Sequence, residues 1–247
     1  NIDNFNFNEK EIKNSDKPEL DRWIISELHS LISEVDEYFS KYEPTKAARS
    51  ISKFVQLYLS NWYVRLSRRR FWKGSYERDK ISAYQTLFTC LIELAKISSP
   101  IAPFFMDRLY CDLISNTKFE SFNSVHHSTF PISNSELIDL ELQKKIRKAQ
   151  IICSLILSLR KKEKIKVRQP LSKVMIPYSD LNEKIEIEEI SDLIKSEVNV
   201  KEIELISSSS EILVKKVKPN FKSLGPKLGK LLSLATQQIN QFGNNLI

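Results

Sequence analysis

Glycine is almost missing, with four residues among 247. A glycine-lined nucleotide fold, a β-sandwich or a barrel needs many positions free to turn tightly, so the scarcity argues against all three and in favour of helices. Cysteine is scarce as well. Cys90, Cys111 and Cys153 are odd in number, far apart and free of any CxxC spacing, which excludes a disulfide scaffold and a zinc knuckle and points to a reducing compartment. The three histidines are His29, His126 and His127. None sits in a nucleophile motif: His29 falls beside apolar neighbours as a packing residue, and the adjacent pair lacks the cysteines a metal site would use. No apolar run is long enough to span a bilayer, no signal peptide opens the chain, and no Asn-x-Ser/Thr sequon occurs. The expectation is a soluble, cytoplasmic protein. Since residue 1 is Asn rather than Met, the chain is expected to be cut from something longer.

What is present suits a large core. Hydrophobic residues make up 41% and aromatics 10%, enough to exclude wholesale disorder, and the length allows one large domain or a mid-sized domain with a smaller companion. Residues 1–19 read as an extended lead-in. From Leu20 to Ser40 the apolar set Leu20, Trp23, Ile24, Leu28, Leu31, Ile32, Val35 and Phe39 repeats at three and four, which predicts a helix with one buried face. Pro44 opens a second, long helix whose stripe is Ala47, Ala48, Ile51, Phe54, Val55, Tyr58, Leu59, Trp62 and Leu66 and which is expected to pack antiparallel to the first. Ile81 to Ala95 predicts a third helix, Phe104 to Leu113 a fourth, and residues 115–134 a long surface connection. Leu140, Ile146, Ala149, Ile152, Cys153, Ile156 and Leu159 define a fifth helix running into a basic stretch. Beyond it the period changes. Ile165 to Val167 alternates, Val174 to Ile176, Val200 to Ile206 and Ile212 to Val214 read as strands, a short helix lies between residues 187 and 198, and Pro226 opens a closing helix. The expected fold is therefore mainly α: an antiparallel helix bundle over residues 20–164, followed by a small α+β domain over residues 165–247.

Charge is unevenly placed. Residues 62–80, 144–173 and 215–230 carry +5, +10 and +6, and since the whole chain carries only +7 the other 182 residues carry −14. A polyanion-binding face on an acidic body has this signature, although any single charge run can be plain solvated surface. Catalytic chemistry is not encoded. Gly225 to Lys230 superficially resembles a phosphate loop, but its glycines are one residue too close for GxxxxGK and a proline occupies the loop. No catalytic residue, metal ligand or bound cofactor is expected within these residues.

The informative segment runs from Asn61 to Lys73. At about 3.6 residues per turn, Arg65, Arg68, Arg69 and Trp72 share one side of a helix while Trp62 and Leu66 stay with the core stripe. Guanidinium groups pair with phosphates and stack on bases, and a tryptophan stacks on an unpaired base, so the row fits RNA. It fits an acidic partner helix equally well, and residue chemistry alone leaves both open. Because neighbouring residues on a helix point about 100° apart, at least one of the four arginines between 65 and 70 is expected to be structural, tied to acids on an adjacent helix.

Leu20-Asp21-Arg22-Trp23-Ile24, the segment Tyr42 to Arg49, Asn61 to Trp72, Ala83 to Leu87, Ser99-Pro100-Ile101-Ala102-Pro103-Phe104, Leu159 to Glu163 and Val167-Arg168-Gln169-Pro170-Leu171 together resemble the C-terminal part of class I isoleucyl-tRNA synthetases. The form of the Asn61 to Trp72 run is similar to that of their eukaryotic-like branch. The resemblance covers nearly the whole chain. It implies an anticodon-binding bundle with a small appended domain, tRNA(Ile) as partner, a monomer without membrane attachment, and a parent enzyme that ligates isoleucine to tRNA with ATP and Mg. The candidate tRNA-binding residues, taken from the basic runs, are Arg65, Arg68, Arg69, Arg70, Trp72, Lys73, Arg160, Lys161, Lys162 and Arg168. The HIGH and KMSKS signatures that hold ATP, and the editing domain, do not occur in these residues, so the chain is expected to be non-catalytic. The alternative is a stand-alone protein-interaction bundle with a basic face.

Overall fold

A computed structural model describes residues 10–72, 75–115 and 122–207, with 226, 229–231 and 233–236 near the end. The strand expected at Ile212 to Val214, most of the closing helix and the third basic window lie outside the described residues. The fold is mainly α with a small two-stranded sheet, and it divides into two compact units, Asn1–Ser154 and Leu155–Ile247. The division falls within one helix, ten residues before the boundary expected at 164/165.

The first unit is built on α1, Glu19–Ser40, which starts behind Pro18 with Glu19 and Asp21 in its first turn, where carboxylates complement the helix dipole. Its apolar stripe is buried as the spacing requires, with Trp23, Ile24, Leu28, Ile32 and Val35 essentially inaccessible. Tyr42 ends it in the left-handed region (φ 57°), and the Glu43 N–H returns to the Tyr38 carbonyl at 2.8 Å, satisfying the helix end. Pro44 then occupies the first position of α2, Pro44–Lys53. The long second helix is not one regular α-helix: Phe54–Val64 is wound as a π-helix, and the chain continues after Ser67 into the one-turn α3, Arg68–Trp72. Helix α1 packs against α2, against the π-wound stretch and against α4, Arg78–Ser98, with Trp23 and Tyr58 meeting edge to face at 6.0 Å between ring centroids.

Helix α4 passes its apolar face on to α5, Pro103–Ile114. Phe88, Ile92, Ala95 and Tyr110 form a second cluster, into which Val125 is inserted. The sequence predicts a surface course for residues 115–134, yet Val125 is buried there. Asp107 is the reason: one carboxylate oxygen accepts from Ser124 Oγ at 2.6 Å and from the Val125 N–H at 2.9 Å. These hydrogen bonds hold the Asp107 carboxyl below its ordinary pKa. Cys90 sits in α4, fully buried, and burial pushes its thiol up to about 12, so it is an inert packing residue. Helix α6, Leu140–Lys162, is fastened to α1 at its start, where Ser26 Oγ accepts the Asp139 N–H at 2.8 Å and the Gln143 amide donates to Ser26 and Ser30 at 2.8 and 2.9 Å. Its buried apolar residues are Leu142, Ile146, Ala149, Cys153 and Ile156, with Gln150 and Arg160 buried among the polar ones, whereas Leu140 and Leu159, both on the stripe read from the sequence, are exposed. The steps of four and three continue through Arg160, so the inward position after Ile156 belongs to the arginine rather than to Leu159.

In the second unit β1, Leu171–Tyr178, pairs in parallel with β2, Val200–Ser207, in the register Leu171 to Val200 and Tyr178 to Ser207. Parallel strands need a crossover, here supplied by α7, Leu181–Glu189, and α8, Ser191–Val198. Asp180 caps α7 through the Glu183 N–H at 2.8 Å, and Asn199 turns from α8 into β2 in the left-handed region (φ 53°). Residues 165–167, which alternate in the sequence, form part of a turn instead, because Lys164 ends α6 with positive φ and the Ile165 N–H closes onto the Arg160 carbonyl at 2.8 Å.

Two consequences are measurable. Trp62 is 8% exposed and Trp72 72%, so Trp62→Ala should lower stability by about 3–5 kcal/mol in urea unfolding and Trp72→Ala by less than about 0.5 kcal/mol. His29 is partly buried, which lowers its pKa, and its Nδ1 accepts the Asn134 N–H at 3.1 Å, a bond that protonation of Nδ1 destroys. With the folded pKa below the unfolded value of about 6.5, the contribution of His29 to stability is present above that value and is lost as pH falls through the folded pKa. An imidazole NMR titration with a midpoint at or above 6.5 would contradict this.

Candidate nucleic-acid interface

The basic run lies where the second helix changes its winding. In the π-wound stretch hydrogen bonds close at i to i+5, so more residues fit in a turn and the buried set Phe54, Leu59, Tyr63 and Ser67 steps by five, four and four. An α-helical stripe places Val55 in the core; with the wider winding Val55 and Leu57 are exposed. Trp62 remains buried, as its position on the stripe predicts. Past Ser67 the phase carries Arg68 and Arg69 outward, Arg70 inward, Phe71 halfway and Trp72 outward. Phe71 packs on Tyr84 at 5.5 Å between rings, and the Tyr84 hydroxyl lies 3.4 Å from the Phe71 carbonyl. Arg65, one turn earlier, is also exposed.

Arg70 belongs to the interior. Its Nη1 and Nη2 donate to the two carboxylate oxygens of Asp21 at 2.6 and 2.8 Å, and Nε donates to Asp79 Oδ2 at 2.9 Å. Asp21, fully buried, accepts two further bonds, from Tyr63 Oη at 3.0 Å and Ser82 Oγ at 2.6 Å. Burial by itself would lower the Arg70 pKa, but the hydrogen bonds and charge of Asp21, reinforced by Asp79, raise it above the ordinary value. Burial, with the Asp21 charge, likewise holds the Tyr63 phenol well above its usual pKa. Arg70 is thus the structural member expected among the four arginines, and its guanidinium is committed to acids of the fold rather than offered to a ligand.

Around this anchor Ser60, Val64, Arg65, Arg68, Phe71 and Trp72 line a shallow groove. It has an apolar floor, two guanidinium groups and an indole at its edge, and Arg69 lies exposed on the adjoining surface. Arg68 and Arg69 have no acidic partner among the described residues. Such a groove can hold phosphate oxygens by charge-assisted bonds and an unpaired base by stacking. Ser60 and Val64 do not stand out in the sequence, where Phe54, Val55, Tyr58 and Leu59 keep ordinary helical spacing and give no sign of the shifted phase. Lys73 lies outside the described residues.

The other suggested residues belong to the second unit. Arg160 is 3% exposed, and its guanidinium donates to the carbonyls of Lys166, Gln169 and Asn199 at 3.2, 3.0 and 2.9 Å. It ties the turn after α6 to the start of β2 and is not a surface residue. Lys161, Lys162 and Arg168 are exposed. Among the described residues no cluster of His, Cys, Asp or Glu could hold a metal ion, and no helix is long and apolar enough to cross a membrane.

Residues 21–176 match the family model of the anticodon-binding domain of tRNA ligases, and the chain belongs to that family. It is 49% identical to an isoleucine–tRNA ligase of Bacteroides fragilis over 100% of this chain and 22% of the relative. It is 50% identical to that of Cytophaga hutchinsonii over 94% of the chain and 21% of the relative, and 44% identical to that of Dehalococcoides mccartyi over 81% and 20%. The chain spans about a fifth of the length of these curated relatives.

The geometry separates the arginines by experiment. Arg70→Ala leaves the Asp21 carboxylate buried without its counter-ion and should cost about 3–5 kcal/mol of stability. Arg68→Ala and Arg69→Ala, at exposed positions, should each change it by less than about 0.5 kcal/mol. Equal urea midpoints for all three variants would refute this division.

Proposed function

We propose that the chain is the anticodon-arm-binding portion of an isoleucine–tRNA ligase, and that tRNA(Ile) lies against Arg65, Arg68, Arg69 and Trp72, with Lys73, Lys161, Lys162 and Arg168 adding phosphate contacts. The observation that carries the reading is the outward basic row with its exposed indole, on a domain of the anticodon-binding family. Arg70 and Arg160, candidates from the basic runs, are withdrawn from this surface because their donors are taken up inside the fold. The parent enzyme is a cytoplasmic monomer that activates isoleucine with ATP and Mg and transfers it to tRNA. ATP and Mg belong to the parts of that enzyme that carry the HIGH and KMSKS signatures. This chain supplies shape and positive charge to the tRNA and takes no part in bond making.

Replacing Arg65, Arg68 and Arg69 together by alanine should weaken tRNA binding and flatten the dependence of log K on log salt by about two to three units, close to one counterion for each phosphate no longer neutralised. Helix content should be unchanged. Unaltered affinity and slope would move the RNA surface elsewhere, and displacement of tRNA by an acidic protein at equal charge would favour a protein-interaction bundle. The chain itself should give no isoleucine-dependent exchange of pyrophosphate into ATP; measurable exchange would overturn the non-catalytic reading.

A further inference from the structure

Helix α3 is a single turn of five residues with no buried side chain. A turn that short does not hold itself, because the entropy of fixing it exceeds what its few hydrogen bonds return. Yet it carries Arg68, Arg69 and Trp72. It continues from the preceding helix through Ser67, whose N–H donates to the Tyr63 carbonyl and whose carbonyl accepts from Phe71, and its side-chain attachments to the body are the Phe71 ring on Tyr84, the Tyr84 hydroxyl at the Phe71 carbonyl and the Arg70 fork. The fork is the directional one: two parallel bonds to Asp21 fix the plane of the guanidinium, and the Nε bond to Asp79 fixes it from the other side. Asp21 is itself immobilised by Tyr63 and Ser82, one from the π-wound stretch and one from α4. The buried carboxylate therefore sets the angle at which α3 leaves the body.

We propose that the Asp21–Arg70–Asp79 clamp is a positioning device for tRNA recognition: it holds α3 so that Arg68, Arg69 and Trp72 face the RNA together, and neither Asp21 nor Arg70 touches the RNA itself. This rests on the reading that the outward arginines bind tRNA. Its consequence runs against simple electrostatics. Asp21 is an anion, and on charge alone its neutralisation strengthens binding to a polyanion. A positioning role gives the opposite sign.

The test measures tRNA affinity of the 247-residue chain and its Asp21→Asn, Arg70→Lys and Asp79→Asn variants, alone and on an Arg68→Ala/Arg69→Ala background, at a temperature where circular dichroism shows each variant fully folded. A residue that only adds global stability leaves affinity unmoved under that condition. We expect Asp21→Asn and Arg70→Lys each to weaken binding about tenfold and Asp79→Asn less, and the effects to shrink on the double-alanine background to what displacement of Trp72 alone costs, since side chains already removed cannot be misplaced. A folded Asp21→Asn variant that binds as tightly as the parent or tighter overturns the proposal. Should Asp21→Asn not fold, Arg70→Lys and Asp79→Asn decide it, and parent-like affinity in both overturns it. If the double-alanine chain binds tRNA like the parent, the tRNA-surface reading itself fails, and that arm alone reveals it.

Discussion

A buried carboxylate organises the first unit. Asp21, in the first turn of α1, has no exposure to water and accepts hydrogen bonds from Arg70, Tyr63 and Ser82. An ion taken from water is tolerated only when its charge is neutralised and its lone pairs are filled. Here the guanidinium does the first and the two hydroxyls complete the second. The partners come from three different places along the chain, so the carboxylate is fully satisfied only when α1, the π-wound stretch with α3, and α4 are all docked. Such a site contributes little net stability compared with an apolar core of the same volume, and breaking it is costly. Its effect is to admit one arrangement of the three elements.

The same constraint divides the labour among neighbouring arginines. Residues one apart on a helix differ by about 100°, so inward Arg70 and outward Arg68 and Arg69 are two sides of one geometry. The second unit repeats the logic with a different acceptor. Arg160 takes the inward place on α6 and donates to three backbone carbonyls, while Lys161 and Lys162 beside it face solvent. In both runs the total charge overstates what is available to a polyanion, because a member of each is used to hold the run in place.

Among the described residues no cluster could hold a metal ion, and the most strongly shifted groups, Cys90, Tyr63 and Arg70, owe their shifts to burial and to structural partners.

Much of the architecture was legible in the residues. The three-and-four spacing from Leu20 to Phe39 and the proline at 44 located α1 and the start of α2 to within a residue or two, since a stripe of that period has no other way to leave water. The phase of Trp62 against Trp72 was legible for the same reason. Arg160 was legible in principle, because it continues the four-three steps from Leu142 to Ile156, but its type argued for the surface and overrode its position. The sequence did not disclose the π winding of Phe54–Val64, whose wider turn sends Val55 outward, nor the burial of Val125, which depends on Asp107 from a neighbouring helix. Local periodicity decided which faces are apolar. Only tertiary contact decided which arginine meets Asp21, because a buried charge is resolved by whatever partner the packed helices bring within hydrogen-bonding distance, and that distance is not written in any one segment.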